Sequence, residues 1–195
     1  EEIEKVLKGA KLPYEYHEDI CEKAASLLHE GQIIGWFQGK MEIGPRALGS
    51  RSILANPAIK DMKDKINDEV KFREAYRPFA PSAIVEAKDD FFDLEVEAPF
   101  MLKVCNVLKE KQSVIPAVTH VDGSARLQTV RKELHPRYYD VIDKLGKKTG
   151  VPVVLNTSFN IQGEPVVESP VDAIRCFWST GLDSLVIGNY VLTKK

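Results

Sequence analysis

"VPVVLNTSFNIQGEP", residues 151–165, decides how this chain is read. Five apolar residues, three of them β-branched, stop abruptly at Asn156-Thr157-Ser158, with Asn160 and Gly163 close behind. The apolar run predicts a buried strand over 151–155, and the polar run after it predicts a loop. On the N-terminal side stands "HPRYYDVIDKLGKKTG" (135–150), a Pro-started helix ending at Gly150 with Tyr139, Ile142 and Leu145 inward. On the other side, Ser169-Pro170 opens a second Pro-started helix, "SPVDAIRCFW", and "SLVIGNYVL" (184–192) closes the chain as a strand pattern. Helices interleaved with strands define an α/β or α+β sheet domain, with parallel and antiparallel order both open. Ligands of open α/β sheets gather beyond the carboxyl ends of strands, which makes Asn156, Thr157, Ser158 and Asn160 candidate ligand-binding groups. A plain Asx or Ser turn explains the same residues without a ligand.

Working outward, residues 18–30 place Ile20, Ala24, Leu27 and Leu28 on one helical face, and Gly31 follows as a stop. "IIGWF" (33–37), "MLKVC" (101–105) and "AVTHV" (117–121) read as strands. Asn56-Pro57 reads as a helix start, followed by Ile59, Met62, Ile66 and Val70 at helical spacing. At 195 residues, 44% hydrophobic and 29% charged, the chain is expected to form one domain over 1–195. The 27 basic and 29 acidic residues leave a net charge of −2, so any anion site must be built locally. Three widely spaced cysteines and the absence of a long apolar run or signal pattern point to a cytoplasmic protein without membrane contact.

Local positive charge is concentrated in three further stretches. "GKMEIGPRALGSRSILANP" (39–57) sets Arg46 and Arg51 among Gly44, Pro45 and Gly49, a tight backbone path carrying forked donors. The competing explanation is a surface turn whose arginines pair with Glu42 and its neighbours. "VKFREAYRPFAPSA" (70–83) carries Lys71, Arg73 and Arg77, which a helix C-terminus alone would also attract. Pro78 nevertheless ends that helix and anchors Arg77 close to an apolar strand. "THVDGSARLQTV" (119–130) reads as an Asp-Gly turn followed by a strand that carries Arg126 inward. The four histidines show no metal spacing, so no metal site is expected. Neither a Walker A motif nor GxGxxG is present, and no nucleophile–base pairing stands out. Positive charge and hydrogen-bond donors, rather than a nucleophile, are what these segments offer.

Taken together and in order, "GKMEIGPRALGSRSILANP", "KFREAYRPFAPSA", "PFM", "HVDGSARLQTV" and "GVPVVLNTSFNIQGEPVVESPVDAI" resemble the C-terminal domain of O-carbamoyltransferases of the NodU/CmcH type. The likeness runs from about residue 18 to the end. It implies a YrdC-like fold, an open twisted mixed sheet with flanking helices and a concave basic face. It also implies that carbamoyl phosphate and ATP, with Mg²⁺, become an enzyme-bound carbamoyladenylate. A separate N-terminal domain of actin-like ATPase type, absent from this chain, would then pass the carbamoyl group to a hydroxyl. On that resemblance Lys71, Arg77, Arg46 and Arg126 form the catalytic phosphate and carbamoyl clamp. Asn156, Thr157 and Ser158 bind substrate, while Asn160, Arg51 and Arg73 bind or orient. The missing initiator Met fits a domain cut from a longer protein. A nucleotide- or RNA-binding module without carbamoyl chemistry is the alternative, disfavoured by the net charge of −2. A purely structural half that docks a partner domain is a third.

Overall fold

The computed structural model describes residues 2–194. Helices α1 (Glu2–Gly9) and α2 (Ile20–His29) flank a two-residue strand β1 (Glu15–Tyr16), and β2 (Ile34–Phe37) and β3 (Arg51–Ala55) follow. Helix α3 (Met62–Ile66) runs into a π-turn at Asn67–Lys71, then β4 (Ala80–Ile84), α4 (Lys88–Phe91), β5 (Phe92–Asp93), β6 (Lys103–Val107) and β7 (Ser124–Val130). Helix α5 (Pro136–Thr149), β8 (Val153–Ser158), α6 (Pro170–Trp178), β9 (Ser184–Ile187) and β10 (Tyr190–Thr193) complete the chain. All ten strands join in one mixed sheet, ordered β1-β10-β9-β2-β3-β8-β4-β7-β6-β5. Pairs β2–β9 and β4–β7 are parallel, and the other pairings are antiparallel.

Strand periodicity sorts the core into two layers. In β8, Val153 and Leu155 pack with α6 residues Ala173 and Phe177 in one cluster. Val154 turns the other way, joining Ala24, Leu28, Val141 and Leu145 of α2 and α5. Both sheet faces are therefore covered by helices, as a sheet with parallel central pairs requires. Ser169 caps α6 through a full capping box with Asp172, and Gly150 ends α5 at φ 76°.

Four expectations need correction. Residues 117–121 are not a strand: a short 3₁₀ turn at Pro116–Val118 leads into the Asp122-Gly123 turn, and the strand begins only at Ser124. Proline pre-sets the turn there and supplies no ladder donor. Asn56-Pro57 does not start a helix, because the Asn56 side chain accepts from the Ala58 N–H in a turn and α3 opens five residues past Pro57. Tyr138, not Tyr139, is the inward aromatic of α5. Asn156, Thr157 and Ser158 continue β8 rather than forming a loop, held in register by Leu54, Ile53 and Ser52 of β3.

Candidate functional site

Between β2 and β3, residues 39–50 form an irregular segment whose backbone polar groups are satisfied by side chains. Glu42 Oε1 accepts from the N–H groups of Leu48 (2.7 Å), Ser50 (2.6 Å) and Arg51 (3.4 Å). Three successive carbonyls are met from the sheet. Asn156 Nδ2 donates to Ala47 O (3.1 Å), Gln128 Nε2 to Leu48 O (2.9 Å) and Trp36 Nε1 to Gly49 O (2.8 Å). Gly49 sits at φ 111° with its α-carbon against Tyr138, where a β-carbon would lie 2.2 Å from the ring. Only glycine fits both demands. The segment is thus pinned to the sheet, and Arg46 projects from it.

Arg46 borders a cleft of about 140 Å³ made by this segment, Pro78-Phe79-Ala80 at the start of β4, Met101, Arg126 of β7 and the end of β8. Arg73 lines it as well, so three guanidiniums share one small hollow, and its lining contains no Asp or Glu. Burial, and after it the neighbouring Arg46, weakens the hold of Arg126 on its proton. Arg126 Nε is buried without a partner, as is Asn156 Oδ1. Arg73 donates from Nε to Asn67 Oδ1 (2.7 Å) and lies over the Phe79 ring at 4.7 Å, leaving the rest of its fork free. Like charges gathered without a carboxylate are costly unless an anion joins them.

Behind the carboxyl end of β8, Lys71 is 3% exposed. Its ammonium donates to Ser158 O (2.5 Å) and Oγ (3.4 Å) and to Asn160 O (2.9 Å) and Oδ1 (2.9 Å). Burial, and secondarily the Arg73 guanidinium, pushes its pKa down to about 7, while the four oxygen acceptors favour the ammonium form. Ser158 Oγ also donates to Asn160 Oδ1 (2.7 Å), and Asn160 Nδ2 ties back to Glu164 O (2.8 Å). The π-turn delivers this lysine, since it ends in Phe72 at φ 50° with Lys71 turned inward.

The structure brings Arg46, Arg73, Arg126, Asn156, Thr157 and Ser158 to one cleft, with Lys71 and Asn160 directly behind Ser158. Two expected residues stand elsewhere. Arg51 lies over the Phe37 ring at 3.5 Å and donates to the carbonyls of Gln38, Ser50 and Gly39, a structural cation inside the fold. Arg77 pairs with Glu74 (3.0 Å) and lies outside the cleft lining. Sequence reasoning passed over Gln128 and Ser82, both fully buried and hydrogen-bonded to Asn156. An amide on the face of β7 that also carries Val130 was the available signal. Among the described residues, no group of three metal-ligating side chains is assembled.

Residues 25–194 match the family model described as carbamoyltransferase C-terminus. The chain belongs to that family. It is 48% identical over its full length to nodulation protein NolNO of Sinorhizobium fredii, covering 29% of that protein. It is 39% identical over 86% of its length to the 3'-hydroxymethylcephem-O-carbamoyltransferase of Amycolatopsis lactamdurans, covering 32% of it. The chain therefore spans about a third of the length of these relatives. Among solved structures, P. abyssi Sua5 complexed with L-threonine superposes with a TM-score of 0.62 at 16% identity, over 90% of this chain and 48% of that one. Full-length HypF in its phosphate- and nucleotide-bound form gives 0.57 at 14%, over 92% and 22%. The fold is YrdC-like, as the motif resemblance implied. No helix among the described residues is long and apolar enough to cross a membrane.

Proposed function

We propose that this domain makes a carbamoyladenylate from carbamoyl phosphate and ATP, as the activating part of a longer O-carbamoyltransferase. The observation that carries the reading is the cleft holding Arg46, Arg73 and Arg126 with no carboxylate in its lining. Water first releases phosphate from carbamoyl phosphate, leaving carbamate. A carbamate oxygen then attacks the α-phosphorus of ATP, and the bond to the β-phosphate oxygen breaks with loss of pyrophosphate. Charge spreads over the phosphoryl oxygens in that step, and guanidiniums held around one small hollow stabilise it more than they stabilise the substrates. Lys71 and Asn160 hold Ser158 at the edge of the cleft, where its hydroxyl can meet the carbamoyl or phosphate end. With no carboxylate to hold a divalent ion, Mg²⁺ would enter bound to the triphosphate. HypF, of similar fold, was captured with phosphate and nucleotide, which supports the same ligand class here. Transfer to a hydroxyl acceptor would fall to an actin-like N-terminal domain in the remaining two thirds of such a protein.

Pyrophosphate exchange tests the reading. Labelled pyrophosphate should enter ATP only when carbamoyl phosphate is supplied with the protein. Exchange that ignores carbamoyl phosphate, or no exchange with ATP bound, overturns it.

A further inference from the structure

Beneath the guanidiniums runs a row of buried polar side chains that the proposed chemistry does not use. Gln128 is completely buried on β7, two residues past Arg126 and on the same face of the strand. Its Oε1 accepts from Ser82 Oγ (2.7 Å) and Asn156 Nδ2 (2.9 Å), and its Nε2 donates to Leu48 O (2.9 Å), 80 residues away in sequence. Asn156, 1% exposed on β8, reaches Ala47 O (3.1 Å). Two side-chain amides from strands on either side of β4 therefore grip the two carbonyls immediately after Arg46. A methionine would fill the space of Gln128 without a buried polar group to satisfy, so packing alone does not call for an amide.

Electrostatics supplies the reason for a tether. Arg46 and Arg126 repel across the cleft, and Arg46 sits on the irregular stretch between β2 and β3, outside any strand. Left to itself, that segment would relax by moving the already exposed Arg46 farther from Arg126. We infer that Gln128, together with Asn156, is a positioning pair that holds Arg46 at a set distance from Arg126, so that both can engage one polyanion. It acts through the backbone of residues 47–48 and does not touch the substrate. Asn156 thereby gains a supporting role, its donor already committed to Ala47, Ser82 and Gln128 while its Oδ1 keeps no partner.

The inference rests on the polyanion reading of the cleft, and a double-mutant cycle separates the two. Binding of inorganic pyrophosphate and of Mg²⁺-ATP is measured by calorimetry for the full chain, Gln128→Met, Arg46→Ala and the double variant. Gln128→Met should weaken binding about tenfold, and Arg46→Ala should then add little, because a released Arg46 no longer contributes. Ser82→Ala removes a hydroxyl of the same network that touches no residue of the 39–50 segment, and it should leave the Arg46 effect at full size. Hydrogen exchange at the amides of residues 48–50 should quicken in Gln128→Met while β8 amides stay protected. If Gln128→Met fails to fold, Gln128→Asn, too short to reach Leu48, should show the same loss of coupling. A folded Gln128 variant with undiminished, additive Arg46 dependence overturns the positioning role alone. Failure of the unaltered chain to bind either ligand overturns the cleft reading, and the positioning role falls with it.

Discussion

The outer face of α2 and α5 and the cleft at the end of β8 treat positive charge in opposite ways. On the helical face the three lysines of α5 each find a carboxylate: Lys144 meets Asp19 at 2.6 Å, Lys148 meets Glu22 at 2.5 Å, and Lys147 meets Asp143 at 2.6 Å. At the cleft, Arg46, Arg73 and Arg126 converge on a lining without any acid, and Lys71 behind them contacts only neutral oxygens. The compensated pairs sit largely in water, where they contribute little. Arg46 at the rim is exposed, but Arg73, Arg126 and Lys71 are partly or wholly buried, where a missing partner matters most. Folding alone does not explain that arrangement, whereas an anionic ligand does. On the proposed reading, charge in this molecule marks function where it is unbalanced, not where it is abundant.

The sharpest way to break the contrast is to disturb the segment that carries Arg46. Gly49→Ala drives a β-carbon into Tyr138 at a backbone angle alanine avoids, so it should lower unfolding free energy by about 3 kcal/mol or more. A denaturant titration showing a loss under about 1 kcal/mol would mean the segment is not rigidly held. Next in size, Arg126→Ala should reduce pyrophosphate exchange by about 10²–10³-fold. Melting should show no loss of stability, since the substitution removes a half-buried cation that repels Arg46. A variant that melts early with normal exchange would make Arg126 structural.

Acidity gives a third handle. An unfolded lysine titrates near about 10.4, and burial lowers Lys71 to about 7 in the folded protein. Between those values the unfolded chain binds the extra proton, so stability should rise as pH increases from about 7 toward 10. Below pH 7 both states are protonated and this dependence levels off. In Lys71→Met the rise should vanish, and chemical denaturation at pH 7 and 9 reads the difference; an unchanged slope would place the titration elsewhere. The smallest effect belongs to the balanced face. Lys144→Ala should change stability by less than about 1 kcal/mol, diminishing with added salt. A larger, salt-resistant loss would erase the distinction between the two regions.

Much of the architecture was legible because its signals are short-range. The Ser169-Pro170 start of α6, the Gly150 stop of α5 and the apolar beginning of β8 act within a turn or two of chain, and the folded protein keeps all three. The errors at 117–121 and Asn56-Pro57 came from local turns, and the others arose where distant partners decided the outcome. Residues 156–158 looked like loop because they are polar, yet β3 supplies the ladder that extends the strand through them. The inward face of α5 was legible at Ile142 and Leu145, but its fully buried aromatic is Tyr138, packed on Gly49, while Tyr139 is only half-buried. The cationic segments were recognisable, but Arg51 and Arg77 could not be set apart from Arg46 and Arg126 by residue type.

The linear chain by itself determined the Ser169 cap of α6, the Gly150 stop of α5, the apolar start of β8 and which segments are rich in cations, because periodicity, capping and proline geometry operate between near neighbours. Only the tertiary structure decided which cations face one another. That depends on β7, β4 and β8 lying side by side, on Ser82, Gln128 and Asn156 meeting across them, and on a carboxylate being present at Arg77 yet absent at Arg126. Coulomb energy follows distance in space, and spacing along the sequence carries no record of it.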